Sequence, residues 1–222
     1  MGLTPLDIDV VERKRALRRE MSERRVGLST EQRRARHDAA TARLLGLSEL
    51  AAVAGRTVAG YVALEAKGEL DPAAALAGLA ARGARIVLPR VSAGAPPALR
   101  LRFHVVGEGE ALVPGPFGLR EPPATAPEVG VDDLAAVLVP GIAFDAEGRR
   151  VGFGGGYYDC ALERRPGRAR PVTIGLAYDF QVVDRCPAEA WDVGVDVVVT
   201  DAGVLRAAAS AGGAGSNRGV GG

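Results

Sequence analysis

The stretch VPGIAFDAEGRRVGFGGGYYD at 139–159 concentrates residue types that could do chemistry on an anion. Gly152, Gly154, Gly155 and Gly156 carry no Cβ, so their backbone N–H groups are open to a phosphate at close range. A helix expected to begin near Tyr157 would aim the positive end of its dipole at the same point. Arg149 and Arg150 could add charge-assisted bonds to phosphate oxygens. Asp159, in the first turn of that helix, could hold Mg²⁺ beside them. The competing reading is a flexible glycine turn between strand and helix. Two familiar nucleotide motifs are absent: Tyr157 stands where GxGxxG needs its third glycine, and no GKS or GKT ending makes a P-loop. Near the N-terminus, Lys14 and Arg18 are four residues apart, so on a helix they share a face and can reach one ligand. Residues 12–36 hold ten Arg or Lys against four Glu, and charge alone favours a solvated basic surface for all of them.

These residues need elements to position them. A helix is expected over 9–25, with Val10, Leu17 and Met21 on its apolar stripe. Ser29 followed by Gln32 forms a capping-box pattern, and Ala35, Ala39, Ala42 and Leu45 continue at helical spacing. A buried strand at 57–62, a helix at 72–82 that starts on proline and stops at Gly83, and a short strand at 86–89 make a parallel βαβ crossover. Leu99, Leu101, Phe103 and Val105 alternate with Arg100, Arg102 and His104, the period of a half-buried strand. Residues 107–130, rich in Gly and Pro, read as a long surface loop. A strand at 135–140 leads into the glycine-rich segment, and strands at 172–178 and 196–200 follow. The expected fold is a three-layer α/β domain over 10–206 with a mainly parallel sheet and its active site beyond the strand carboxyl ends. Residues 1–9 are expected to be a flexible N-terminus and 207–222 a disordered Gly/Ala-rich tail.

At 222 residues the chain suits one domain, and 47% hydrophobic with 25% charged residues is ordinary for a soluble globular protein. A net charge of +1 gives the whole molecule no bias toward nucleic acid or membrane. Only Lys14 and Lys67 among the 28 basic residues are lysine. Cys160 and Cys186 form no CxxC pair and no metal spacing, which suits a reducing compartment. No apolar run has signal-peptide form or reaches the roughly 18 residues of a membrane helix, so a cytoplasmic location is expected.

Five segments together resemble the 5-formyltetrahydrofolate cyclo-ligase family, in the family's order and over about residues 10–200. They are KRALR at 14–18, GYVALEAKGELDP at 60–72, FGLREP at 117–122, PGIAFDAEGRRVGFGGGYYD at 140–159 and WDVGVDVVVT at 191–200. The resemblance implies a Rossmann-like fold related to sugar-phosphate isomerases and CoA transferases. It implies an enzyme that transfers the γ-phosphate of ATP, with Mg²⁺, to the formyl oxygen of 5-formyltetrahydrofolate, with or without a polyglutamate tail, and closes the ring to 5,10-methenyltetrahydrofolate. Lys14, Arg15, Ala16, Leu17 and Arg18 would contact ATP, as would Arg150, Val151, Gly152, Phe153, Gly154, Gly155, Gly156, Tyr157 and Tyr158. Lys14, Arg18 and Arg150 would be catalytic. Val62, Glu69, Phe153, Gly154, Gly155, Gly156 and Tyr157 would bind the folate, and Asp159 and Asp192 would hold Mg²⁺. A monomer without nucleic-acid partner is expected.

Several of these residues have plainer readings. Glu69 precedes Asp71 and Pro72 and could cap a helix; Asp192 could be a turn or cap residue. At least one of the adjacent Tyr157 and Tyr158 belongs to a core, Cys160 reads as a small apolar helix residue, and His37 and His104 as surface or sheet-edge residues. Trp191 stands where many relatives carry histidine, and the loop between Val62 and Glu69 carries a small insertion. A sugar-phosphate or CoA-ester enzyme would not require Lys14 or Arg18. A folate- or nucleotide-binding regulator using its basic helices on RNA would not require the acidic pair.

Overall fold

The computed structural model of the protein describes residues 5–91, 101–107, 110–163 and 169–208. Helix α1 (Pro5–Val26) begins inside the segment expected to precede the domain; proline is well suited to a first helical position, where its missing N–H is no loss. Helix α2 (Thr30–Leu45) carries the expected capping box. The Gln32 amide N–H donates to Ser29 Oγ at 3.1 Å, and the Ser29 N–H donates to Gln32 Oε1 at 3.0 Å. Ser29→Ala removes the first of these bonds and is expected to cost about 1 kcal/mol. A lower urea midpoint at unchanged slope would show it, and an unchanged midpoint would mean that packing alone holds the helix.

Strand β1 (Thr57–Ala59), helix α3 (Ala73–Ala81) and strand β2 (Arg85–Val91) form the expected crossover, with Thr57, Val58 and Ala59 beside Arg85, Ile86 and Val87 in parallel register. Gly83 closes α3 at φ +87°. Strand β1 is shorter than the apolar run 57–62. A Cβ on Gly60 would stand 2.3 Å from the Leu76 side chain, so the chain passes tightly under α3, and Tyr61 and Val62 follow the strand packed on the same core. Strand β3 (Leu101–Val105) returns antiparallel to β2; the alternation at Leu99 and Arg100 lies outside the described residues. The segment expected as plain loop holds three two-residue strands: β4 (Val113–Pro114) pairs with β5 (Arg120–Glu121), and β6 (Glu128–Val129) pairs with β3. Strand β7 (Leu134–Val139) runs beside β1, and β8 (Ala143–Phe144) and β9 (Arg150–Val151) form a hairpin. Helix α4 (Tyr157–Ala161) and strands β10 (Val172–Leu176), β11 (Val197–Val199) and β12 (Val204–Arg206) complete the described elements. The tail from 209 onward lies outside the described residues.

Among the described residues the main sheet has the order β12-β11-β10-β7-β1-β2-β3-β6. Its centre, from β11 to β2, is parallel, and the antiparallel pairings lie toward the edges. One face is covered by α2 and α3 through Ala40, Leu44, Ala75 and Leu79 against Val58, Leu138 and Ile174. The other face is covered by α4 and the β8 hairpin, with Phe144, Leu162, Tyr157 and Tyr158 against Val87, Val137 and Val139. These are the three expected layers, around a mainly parallel sheet. A Cβ on Gly141 or on Gly175 would fall 2.4 Å from the Phe144 ring, so both glycines are needed for that ring to fit. Helix α1 lies apart from both cores, where Leu17 and Met21 pack on Ile142, Ala143, Val151 and Cys186 of the hairpin region. No helix among the described residues is long and apolar enough to cross a membrane.

Candidate active site

The strands β1, β2 and β7 end at an open cavity of about 2090 Å³, which Val62, Val91 and Pro140 line from their carboxyl ends. A drug-sized ligand occupies a pocket of roughly 300–1,000 Å³, so this one has room for two. Lys14, Arg18, Val62, Glu69, Arg150, Gly152, Phe153, Gly154, Gly155, Gly156, Tyr157, Tyr158, Asp159 and Asp192 all line it. Arg15 and Ala16 are exposed on α1, and Leu17 and Val151 pack in the small core beneath; none of these four lines the cavity.

Lys14 and Arg18 share the inner face of α1. Lys14 is buried, and its Nζ donates at 2.6 Å to both Glu189 Oε2 and Asp192 Oδ2. Arg18 Nε donates to the Gly152 carbonyl at 2.7 Å. The helix is thus laced to the glycine-rich loop on one side and to the 189–192 segment on the other. A wholly solvated basic helix is excluded for these two residues. Gly154 and Gly156 take φ +104° and +65°, conformations that side-chain-bearing residues rarely adopt. Helix α4 is only five residues long, so its dipole adds less than the sequence led one to expect.

The adjacent arginines part company. Arg149 Nε donates to Asp145 Oδ2 at 2.6 Å, and the guanidinium also pairs with Glu147, beside which it lines the cavity. Asp145 is fully buried and also accepts from the Glu147, Arg149 and Cys186 N–H groups, which fixes the hairpin turn. Arg150 points inward, donating to Asp159 Oδ1 at 2.6 Å. Its buried Nε has no partner among the described residues, a donor left over at the cavity wall.

Asp159 Oδ1 also accepts from the Val193 N–H at 3.0 Å, and Val193 follows Asp192 directly, so the two aspartates sit on adjoining segments. Asp192 Oδ2 accepts from the Glu189 N–H at 2.7 Å. Among the described residues no three acidic or histidine side chains converge on one point. A pair of hard carboxylates with open cavity beside them fits Mg²⁺, which keeps several waters and phosphate oxygens in its shell.

Glu69 is buried at 6% exposure. Its Oε2 accepts from the Leu64 N–H at 2.8 Å, and its Oε1 has no partner among the described residues. It does not cap α3, whose N-cap position is Pro72; Asp71 Oδ1 accepts from the Ala73 N–H at 3.0 Å. Burial pushes the Glu69 carboxyl up to about 7, against the pull of the Leu64 bond and of Arg25. A raised carboxyl favours the folded state fully below its ordinary value near 4.5, and that contribution is lost as pH rises through about 7. Glu69→Gln should therefore exceed the parent in stability by on the order of 2 kcal/mol near pH 8, the difference closing toward pH 5. Urea midpoints at both pH values test this, and a pH-independent difference would contradict it.

Several features of the site and its surroundings lay outside the sequence expectations or differed from them. Glu189 is the second partner of Lys14. Arg25, expected as solvated surface, is completely buried. Phe117 takes φ +60°, is 68% exposed and faces Tyr157 with ring centroids 6.2 Å apart. The flanking Gly118, also at positive φ, was the available signal for this turn. Trp191 is 67% exposed on the cavity rim. Both neighbouring tyrosines line the cavity and also pack on the core of that sheet face. Cys160 is exposed and not an apolar packing residue. His104 is buried with Nδ1 2.8 Å from the Ala126 carbonyl, and half-buried His37 meets the Tyr178 hydroxyl at 2.8 Å, so both histidines have structural partners instead of surface roles.

A family model described as the 5-formyltetrahydrofolate cyclo-ligase family matches residues 10–201. A 5-formyltetrahydrofolate cyclo-ligase of Mycolicibacterium smegmatis is 36% identical over 152 residues, covering 67% of this chain and 75% of that protein. The Escherichia coli protein of the same name is 33% identical over 183 residues, covering 80% of this chain and 94% of its own. The solved structure of Aquifex aeolicus 5,10-methenyltetrahydrofolate synthetase superposes with a TM-score of 0.73 at 35% identity, covering 87% of this chain and 92% of that one. With a match along most of its length and a shared fold, the chain belongs to the 5-formyltetrahydrofolate cyclo-ligase family.

Proposed function

We propose that the protein converts 5-formyltetrahydrofolate to 5,10-methenyltetrahydrofolate with cleavage of ATP to ADP and phosphate, in the cytoplasm and as a monomer. One observation carries the reading: phosphate-type donors and a folate-side carboxylate, one of whose oxygens has no partner among the described residues, line the same cavity. The formyl oxygen attacks the γ-phosphorus and ADP leaves. The second folate nitrogen then adds to the formyl carbon and loses its proton, and departure of phosphate with the former formyl oxygen leaves the methenyl bridge. Such a transfer asks for positioning and charge neutralisation more than for a protein nucleophile.

Lys14 and Arg150 hold positive charge against the phosphates, and Arg18 fixes the glycine-rich loop through the Gly152 carbonyl. Asp159 and Asp192 would hold Mg²⁺, which supplies charge neutralisation on the phosphate oxygens. Glu69 accepts from the donor edge of the pterin through the oxygen that has no partner among the described residues, and Val62 packs against the ring. The aromatic rings of Phe117 and Tyr157 offer faces to the rest of the folate, whose glutamate tail would extend through the open mouth. Two unpaired thiols suit a reducing compartment.

The test is the growth of methenyltetrahydrofolate absorbance when the protein meets 5-formyltetrahydrofolate with and without Mg-ATP. Product that forms only with Mg-ATP is expected. No product from folded protein that still binds nucleotide would overturn the assignment. Sedimentation equilibrium at the 22.9 kDa chain mass checks the monomer.

A further inference from the structure

Arg25 is the largest completely buried side chain among the described residues. Its Nε and Nη2 have no hydrogen-bond partner there, and Nη1 makes one long bond of 3.5 Å to the Gly141 carbonyl. Taking a guanidinium out of water this far costs several kcal/mol unless opposite charge compensates. Two features supply compensation. The guanidinium carbon lies 5.5 Å from the centre of the Phe153 ring, in the middle of the glycine-rich loop. The negative charge that acts on it most strongly is that of Glu69.

The backbone repeats the arrangement. A Cβ on Gly68, which takes φ +62°, would stand 2.9 Å from the Arg25 carbonyl, so the turn that carries Glu69 rests directly on Arg25. Arg33 Nη2 donates to that same carbonyl at 3.1 Å and holds it from the α2 side. Arg25 does not line the cavity; it lies beneath two residues that do, Phe153 and Glu69. The Phe153 wall thus meets the Arg25 guanidinium, and the turn that carries Glu69 meets the backbone of the same residue.

We propose that Arg25 is a positioning residue that ties the nucleotide-side loop to the folate-side carboxylate, holding Phe153 and Glu69 in a fixed relation beneath the cavity. The inference rests on the proposed roles of Glu69 and the glycine-rich loop. Its consequence is specific. Arg25 helps to keep Glu69 ionised, so the variant without a cation binds the folate worse and needs a higher pH to do it. The other titratable groups acting on Glu69 or on its charge are Tyr61, Asp71 and Tyr158. Burial raises both phenols from their ordinary value of 10, so neither titrates near neutrality, and the Asp71 charge opposes that of Glu69.

The experiment is the pH profile of kcat/KM for 5-formyltetrahydrofolate at saturating Mg-ATP in the parent, Arg25→Met, Arg25→Lys and Glu69→Gln, each checked for folding by circular dichroism. The parent should rise through an acid-side inflection that Glu69→Gln abolishes. Arg25→Met should move the inflection upward by about half a pH unit or more, with KM raised more than kcat is lowered. Arg25→Lys keeps the charge and should restore most of the profile. If Glu69→Gln abolishes the inflection while Arg25→Met leaves it unmoved, the Arg25 proposal falls and the reading of Glu69 stands. If Glu69→Gln leaves it in place, the reading of Glu69 falls and takes the proposal with it. Should Arg25→Met fail to fold, Arg25→Gln carries the test, since it keeps polar atoms at the position without the charge; an inflection at the parent's pH would overturn the proposal.

Discussion

Lys14→Met is expected to lower kcat/KM for methenyltetrahydrofolate formation by at least about a hundredfold, or roughly 2.7 kcal/mol of transition-state stabilisation. Lys14 Nζ is the shared partner of Glu189 and Asp192, at 2.6 Å from each. Without it, two carboxylates face the place proposed for the phosphates, and the nucleotide would meet repulsion instead of a cation. The loss should appear at every ATP concentration, because both binding and charge neutralisation in the transition state suffer. Arg19→Met, on the exposed side of the same helix, is the control and should stay within about twofold. Activity of a folded Lys14→Met protein within tenfold of the parent would remove this residue from the chemistry.

Gly148→Ala is expected to be the most destabilising single substitution among those considered, at about 3–4 kcal/mol. Gly148 turns the β8–β9 hairpin at φ +76°, and an added Cβ would lie 2.1 Å from the Val195 backbone carbonyl. That neighbour cannot rotate away, because the Val195 N–H donates to the Gly148 carbonyl at 2.8 Å at the entrance to β11. The hairpin and the 192–195 segment would be pushed apart, and Asp192 would move with them. Urea unfolding measures the loss. Gly203→Ala, where a Cβ meets nothing within 4 Å, should stay within about 0.5 kcal/mol of the parent. Equal midpoints for the two variants would show that the hairpin absorbs the clash.

The features legible in the sequence are those whose cause is local. The Ser29–Gln32 box, the α3 stop at Gly83 and the shared face of Lys14 and Arg18 follow from spacing within a few residues. Partner choice does not. Lys14 and Glu189 are separated by 175 positions, and nothing near Glu189 announces the pair. Arg149 and Arg150 looked equivalent as a couple, yet successive residues entering a strand point to opposite faces, so one pairs with Asp145 and the other with Asp159. The two-residue strands of 113–129 are too short to show any period. Arg25 was hidden among arginines of the same helix, because charge density says nothing about which of them is covered by neighbouring loops.

Trp191 is the chain's one tryptophan, and it is already 67% exposed on the rim of the cavity while the core holds none. Its emission therefore begins near the value that an unfolded chain would give. Urea should produce a cooperative transition in circular dichroism and little change in tryptophan fluorescence, whereas filling the cavity with nucleotide or folate should alter that fluorescence at constant dichroism. A single optical channel would thus follow occupancy of the site while remaining almost blind to loss of the fold.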